Sequence, residues 1–268
     1  MSPETSATPE ELTVLREAVA DAGTLVMRYF GQNPETWDKP GEGPVSEADL
    51  AANDLLQARL CGAFPDHGWL SEESVDDPLR LTRERVWIVD PIDGTRAFID
   101  GQPEFTVCAA LAIGGEVVAG AVLNPAKDEL FFAARGTGST RNGVPLVADR
   151  CARFAEARIL SRRGVLKSSH WVEKAPGGRH GYVNSIAYRV CKVATDRWDV
   201  AIALNRLSEW DLAAAQVVLE EAGGKVTDRA GNPIRYNGRD PKIAGLIAAV
   251  DPLHGELVER LLPPDPQA

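Results

Sequence analysis

Residues Trp87 to Phe98 read WIVDPIDGTRAF, and the rest of the chain is best read outward from them. The apolar run Val86 to Val89 leads straight into Asp90, and Pro91, Ile92, Asp93, Gly94 and Thr95 follow at once. A short apolar run of this kind suits a strand covered on both faces of its sheet. A carboxylate at the end of such a strand is costly unless it is paired or bound to a metal. Two acids three residues apart across a Pro-Ile kink can point inward together, and they repel unless a divalent cation lies between them. Gly94 lets a ligand approach the backbone, and Thr95 can open a helix whose free N–H groups suit a phosphate. The plain alternative is an acidic turn with an Asp cap.

The chain around this stretch has 268 residues, 44% of them hydrophobic, enough for a sizeable core as one large domain or two closely packed halves. A net charge of −10 argues against nucleic acid polymers or anionic membranes as partners. An anionic substrate would have to be attracted by something other than the overall field. Cys61, Cys108, Cys151 and Cys191 are scattered without metal-type spacing, so buried reduced thiols are expected. The start MSPETSATPE is polar and acidic, unlike a signal peptide, and no apolar run reaches ~18 residues. The expectation is a cytoplasmic protein with no membrane segment.

Helix and strand signals alternate. Thr8 to Glu11 offers an N-cap, a proline at the first helical position and a capping glutamate, and Leu12 to Phe30 carries helical spacing that Gly31 can close. Gln32 to Pro44 reads as an exposed loop. A second helix starts at Ser46 to Asp49 and runs to about Cys61, with Leu50, Leu56 and Leu60 as its buried face. Phe105 to Ile113 and Glu116 to Leu123 flank Gly114-Gly115 as a hairpin, and Leu130 to Ala134 adds a strand. Ile159-Leu160 and Val200 to Leu204 read as strands, Ile186 to Val193 as a helix, and the segment after Ser208 as a helix ended by Gly223-Gly224. Ile243 to Val250 reads as one buried strand and Pro252 to Leu262 as a last helix. The expected organisation is a loose start over 1–10, an α+β half over 11–145, an α/β half over 146–262 that completes the site, and a tail over 263–268. The fold class is layered α/β.

A hard-cation site needs further oxygen ligands. Glu72 and Glu73 follow the apolar pair Trp69-Leu70, Asp49 lies in SEAD and Asp211 in SEWD. Taken singly, Asp49 and Asp211 read better as capping-box acids reaching back to Ser46 and Ser208, and the two glutamates as surface acids.

Together, DPIDGT, the Glu-Glu pair before it, SEAD and the downstream WDLAA…EAGG resemble the inositol monophosphatase superfamily, in that family's order, from about Leu12 to Val250. The resemblance implies an αβαβα sandwich and a magnesium-dependent, lithium-sensitive phosphatase of small metabolites with two or three metal ions per site. Asp90 and Asp93 match its paired metal ligands, and Ile92 the residue whose carbonyl binds a metal. Glu72 and Asp211 match further ligands, Asp211 for a second ion. Asp93, Gly94 and Thr95 match substrate-facing positions. Thr95 and Asp49, with Glu72 close by, match the groups that orient the attacking water and take its proton. The implied assembly is a homodimer, and the implied partner a small phosphate ester.

Haloacid-dehalogenase phosphatases use D-x-D-x-T, whereas the acids here are separated by two residues, and no GxxxxGK[ST], GxSxG, HExxH or GxGxxG is present. A metal- and ligand-binding regulator without turnover is the non-enzyme alternative. Inositol-selective members carry an acid several residues before the WD; Ala203, Leu204, Asn205 and Arg206 stand there instead, with Glu209 the only nearby acid. The SEWDLAAA wording is similar to bacterial CysQ-type 3′(2′),5′-bisphosphate nucleotidases, which makes 3′-phosphoadenosine 5′-phosphate the first expected substrate. Inositol 1-phosphate comes next, then histidinol phosphate and fructose 1,6-bisphosphate. A second phosphate wants a basic group beyond the metals, and Arg162, Arg163 and Lys167 are candidates, with solvated surface charges as the equally good plain reading. Trp171 and Tyr182 could stack on a base, although packing is the stronger reading, and His170 and His180 read as exposed loop residues.

Overall fold

The computed structural model describes residues 6–39, 43–149, 152–195 and 197–262. Thr8 forms the capping box its sequence predicts, its side chain accepting the Glu11 N–H while the Glu11 carboxylate accepts its own N–H. The helix α1 spans Pro9–Val26 and gives way to turns before Gly31. The described part of the expected loose start therefore already carries the helix cap, while residues 1–5 and the tail 263–268 lie outside the described residues. Where composition predicts an exposed loop, β1 (Thr36–Lys39) and β2 (Gly43–Ser46) pair as an antiparallel hairpin. Its first strand is exposed, so no apolar alternation marks it. Helix α2 (Glu47–Ala63) buries Ala48, Ala52, Leu56 and Leu60, every fourth residue, and Leu50 falls off that stripe into solvent.

Next come β3 (Gly68–Ser71), β4 (Arg85–Asp93), the short helix α3 (Thr95–Ile99), β5 (Thr106–Ile113), β6 (Glu116–Asn124), β7 (Glu129–Ala134), β8 (Gly138–Arg141) and β9 (Val144–Leu146). These strands form one seven-stranded sheet in chain order, antiparallel except for β3 on β4. The second half supplies β10 (Ile159–Leu160), β11 (His180–Gly181), α4 (Ile186–Ala194), β12 (Val200–Ala203), β13 (Leu207–Ser208), α5 (Ala213–Glu221), β14 (Lys225–Thr227), β15 (Lys242–Ile243), β16 (Leu246–Ala249) and α6 (Leu253–Arg260). Its main sheet has the order β11-β10-β12-β16-β14, and β13 pairs with β15. The single strand expected over Ile243 to Val250 is split at Gly245, whose φ of 80° sends β15 and β16 to different partners.

Period-two alternation builds the layers. In β4 and β5, Trp87, Val89, Val107, Ala109 and Leu111 face α1 and α2, while Val86, Ile88, Cys108, Ala110 and Ala112 face α4 and α5. In β12 and β16, Ala201, Ala203, Leu246 and Ala248 join that inner core, while Val200, Ile202, Ile247 and Ala249 pack under α6. The result is helix, sheet, helix, sheet, helix, the expected αβαβα sandwich, with α4 and α5 shared between the halves. Helix α5 lies so close on β6 that a Cβ at Gly120 would sit 2.5 Å from the Ala214 carbonyl oxygen. Cys108 and Cys191 are buried thiols as expected, Cys61 is half-buried, and Cys151 lies outside the described residues.

Candidate metal centre and active-site cleft

Strand β4 does not break at Asp90. Its ladder with β5 pairs Asp90 with Cys108, then Asp93 with Thr106, so one extra residue bulges from β4 between the acids. Without the bulge, residues three apart on a strand point to opposite faces. With it, Ile92 packs outward under α1 and α2, and both acids face inward. Gly94 then turns the chain with φ 96°, where a Cβ would stand 3.1 Å from the Glu104 carbonyl and 3.2 Å from the Ser185 nitrogen.

That turn starts α3 at Thr95, whose hydroxyl lies 2.9 Å from the Ile92 carbonyl and 3.2 Å from Asp49 Oδ1. Asp49 serves two ends at once. Its Oδ2 closes the α2 capping box on the Ser46 N–H and hydroxyl, at 2.9 and 2.5 Å, which leaves Oδ1 for Thr95. The capping reading and the site reading of this residue are therefore compatible. Asp93 is held by α4, with Oδ2 accepting Ser185 Oγ at 2.6 Å and the Ala187 N–H at 2.7 Å, and Oδ1 accepting the Ile186 N–H at 3.2 Å. Asp211 accepts the Ser208 N–H at 2.7 Å, but α5 begins only at Ala213, so this contact ties a turn rather than caps the helix.

Oxygens of Asp90, Asp93 and Asp211 lie within 4.8 Å of one another. Both Asp90 oxygens are buried without a hydrogen-bond partner. Burial and the repulsion of Glu72, Asp93 and Asp211 push the Asp90 carboxyl well above the ordinary aspartate range. Glu72, just after β3, is pushed to about 8 by burial and by Asp211 and Glu73, against the pull of Lys39. Asp211 is pushed to about 7 by burial and by Asp93, and Asp49 to about 6 by burial. An orphaned buried carboxylate among hard oxygen donors, each disfavoured as a bare anion, fits a magnesium-type cation. Asp90, Asp93 and Asp211 could hold it, with Glu72 alongside and the Ile92 carbonyl close by through Thr95.

A cleft of about 390 Å³ opens beside these acids, with Glu72, Asp211, Arg162, Asn184, Arg189, Asn205 and Arg206 on its walls. Arg163 instead lines a neighbouring hollow with Arg96, His180 and Tyr182. Glu209 needs correcting as a substrate-facing residue. It is buried, and its oxygens accept the Asn237 and Gly238 N–H groups at 2.6 and 2.8 Å, so the carboxylate ties the 237–238 turn. Trp171 packs, giving its indole N–H to the Val165 carbonyl at 2.8 Å. His180 is not an exposed loop residue but half-buried in β11, 2.9 Å from the Ser161 carbonyl, whereas Tyr182 is half exposed rather than packed. Sequence reasoning missed Ser185 with the α4 N-terminus beneath Asp93, and Lys39, which pairs with Glu73 at 2.5 Å. A serine before a helical run was the available signal for the first; the second depends on a hairpin that composition hides.

A model of the inositol monophosphatase family matches residues 8–263. The histidinol-phosphatase of Chlorobaculum parvum is 33% identical over 92% of this chain and 95% of its own length. The inositol-1-monophosphatase of Mesorhizobium japonicum is 35% identical over 94% of each chain. Among solved structures, the extragenic suppressor protein suhB from Bartonella henselae superposes with a TM-score of 0.80 at 29% identity, covering 92% of this chain and 96% of that one. An IMPase of Thermotoga maritima does so with 0.80 at 27%, over 93% and 96%. With the fold, the acids and these likenesses in agreement, the chain belongs to the inositol monophosphatase family and is a magnesium-dependent hydrolase of phosphate monoesters.

Proposed function

We propose that the chain is a 3′(2′),5′-bisphosphate nucleotidase that removes one phosphate from 3′-phosphoadenosine 5′-phosphate. The observation that carries this is the wall of the cleft. Among the described residues its only carboxylates are Glu72 and Asp211, both of the acidic centre, and the remaining charges are Arg162, Arg189 and Arg206. A polyol wants an acid there to accept its hydroxyls, and the one nearby candidate, Glu209, is committed to the Asn237 and Gly238 N–H groups. Arg206 is paired with Asp240 at 2.5 Å, so Arg162 is the freer cation.

Asp90, Asp93 and Asp211, with Glu72, would hold the magnesium ions, for which two or three per site is our reading. When bound, they supply Lewis acidity and the positive charge that lets an acidic protein attract a phosphate dianion. The chain's own groups orient the nucleophile. Thr95 Oγ accepts the proton of the attacking water as its own hydroxyl proton passes to Asp49 Oδ1, 3.2 Å away. Asp49, held at about 6 by burial, is ionised at neutral pH and fixed through its other oxygen, so it receives that proton without moving. Gly94, packed against the Glu104 and Ser185 backbone, supplies the left-handed turn that sets Thr95 beside Asp49.

The test is phosphate release, with and without EDTA, from 3′-phosphoadenosine 5′-phosphate, inositol 1-phosphate, histidinol phosphate and fructose 1,6-bisphosphate. A kcat/KM at least ~100-fold higher for the nucleotide, about 2.7 kcal/mol of transition-state preference, is expected. The Chlorobaculum parvum likeness makes histidinol phosphate the second reading. Its ammonium group would need a cleft-wall acid, so a preference for it would sink the nucleotidase reading.

A further inference from the structure

The five-stranded sheet delivers its parallel strands β10, β11 and β12 to one edge, and the segments that leave their C-terminal ends carry the cleft. After β12 come Asn205 and Arg206, in the wall already described. After β10 come Arg162 and Arg163, and after β11 comes Tyr182. These last three, with Arg96, His180 and Gly181, line a second hollow of about 590 Å³, and Arg162 borders both hollows. Arg96 stands one residue after Thr95, and the Tyr182 hydroxyl donates to Asn184 of the first cleft at 3.0 Å. The two spaces therefore share walls at two points.

Among the described residues no carboxylate pairs with the arginines of the second hollow. Elsewhere in this acidic chain arginines are tied to carboxylates, as in Arg80 with Asp76, Arg85 with Glu11, Arg135 with Glu220 and Arg158 with Asp199. Arg96, Arg162 and Arg163 have no ion-pair partner among the described residues. Three guanidinium groups around one hollow repel each other, and an anion with several oxygens relieves all three at once. Tyr182 is prepared as a platform: the Arg189 guanidinium sits 4.8 Å from its ring centre on one side, while the residue remains 50% exposed.

We infer that this hollow binds the second, unhydrolysed phosphate of a nucleoside bisphosphate whose first phosphate lies at the acidic centre, with the Tyr182 ring beside the base or sugar. This rests on the nucleotidase reading above and makes the spacing of two phosphates the basis of selectivity. Arg163 lines only the second hollow, so it separates the two roles.

The experiment compares adenosine 3′,5′-bisphosphate with adenosine 3′-monophosphate as substrates of the wild type, Arg163→Ala, Arg163→Lys and Arg96→Ala, with thermal unfolding as the check on folding. The alanine variants should lose about 10- to 100-fold in kcat/KM on the bisphosphate, mainly through KM, and keep the wild-type value on the monophosphate. Lysine should restore part of the loss. In EDTA, adenosine 5′-monophosphate should bind the wild type more tightly than adenosine does, and Arg163→Ala should erase the difference. If the wild type prefers the bisphosphate but the variants keep that preference, the inference fails while the nucleotidase reading stands. If the wild type turns over inositol 1-phosphate or histidinol phosphate faster than either nucleotide, the nucleotidase reading fails and takes the inference with it. An Arg163-dependent effect of free sulfate on monophosphate hydrolysis, with no preference for the bisphosphate, would make the hollow a site for a separate anion and overturn the inference.

Discussion

Asp211→Asn should stabilise the metal-free protein and at the same time weaken its response to magnesium. The Asp211 carboxyl is raised from 3.8 to about 7, by burial and by the nearby Asp93. A rise of that size corresponds to about 4 kcal/mol, and because Asp211 is only partly buried at the cleft wall, screening by water reduces this to about 2 kcal/mol. A raised carboxyl binds its proton more tightly in the folded chain than in the unfolded one. Its contribution to stability is therefore fully present below about pH 4 and lost as pH rises through about 7. The assay is urea unfolding of wild type and variant at about pH 4.5 and about pH 8, each in EDTA and in magnesium. In EDTA the variant should gain on the wild type by about 2 kcal/mol between the lower and the higher pH. In magnesium the variant's advantage should shrink or reverse, because the wild type gains more binding energy than a variant that lacks one ligand. A variant no more stable than the wild type in EDTA at the higher pH would refute the claim that these acids are strained against one another without a cation.

Thr95→Ala should lower kcat by about 10²- to 10³-fold with little change in unfolding temperature, and Thr95→Ser should keep most of the rate, since only the hydroxyl between Ile92 and Asp49 matters. Glu11→Gln concerns stability alone. Burial pushes the Glu11 carboxyl up, but hydrogen bonds from His67 and Thr8 and the charge of Arg85 outweigh it and bring it from 4.5 to about 2. That shift gives a loss of about 3 kcal/mol at neutral pH, which should shrink as pH falls below about 4.5 toward 2; a gap that does not change with pH contradicts it. Gly120→Ala puts a methyl group 2.5 Å from the Ala214 carbonyl oxygen and should destabilise by roughly 1–3 kcal/mol, with KM unchanged in the surviving folded enzyme.

The elements that could be read from sequence are those whose signal is local. The Thr8 capping box, the Gly114-Gly115 hairpin and the apolar runs of β4, β5 and β6 announce themselves because a cap, a turn or a doubly covered strand constrains neighbours in the chain. Where partners are distant, the reading weakened. The β1–β2 hairpin has an exposed first strand and no alternation, Leu50 turned out of the core because the stripe of α2 is fixed by what packs on it, and Ile243 to Val250 was divided between two sheets.

The site divides in the same way. Asp90, Asp93, Gly94 and Thr95 were legible because the bulge and the left-handed turn that aim them lie within the same few residues. Sequence alone marked Asp49, Glu72 and Asp211 as acids in telling motifs, but only the packed layers bring Asp211 to within 4.8 Å of Asp90 and Asp93, more than a hundred residues away in the chain. Tertiary structure also turned Glu209 away from the cleft, set the N-terminus of α4 beneath Asp93, and collected Arg96, Arg162 and Arg163 around one hollow. The physical reason is one of range. Backbone conformation and burial pattern are set by adjacent residues, whereas the energy of a charge depends on which other charges the fold places within a few ångströms of it.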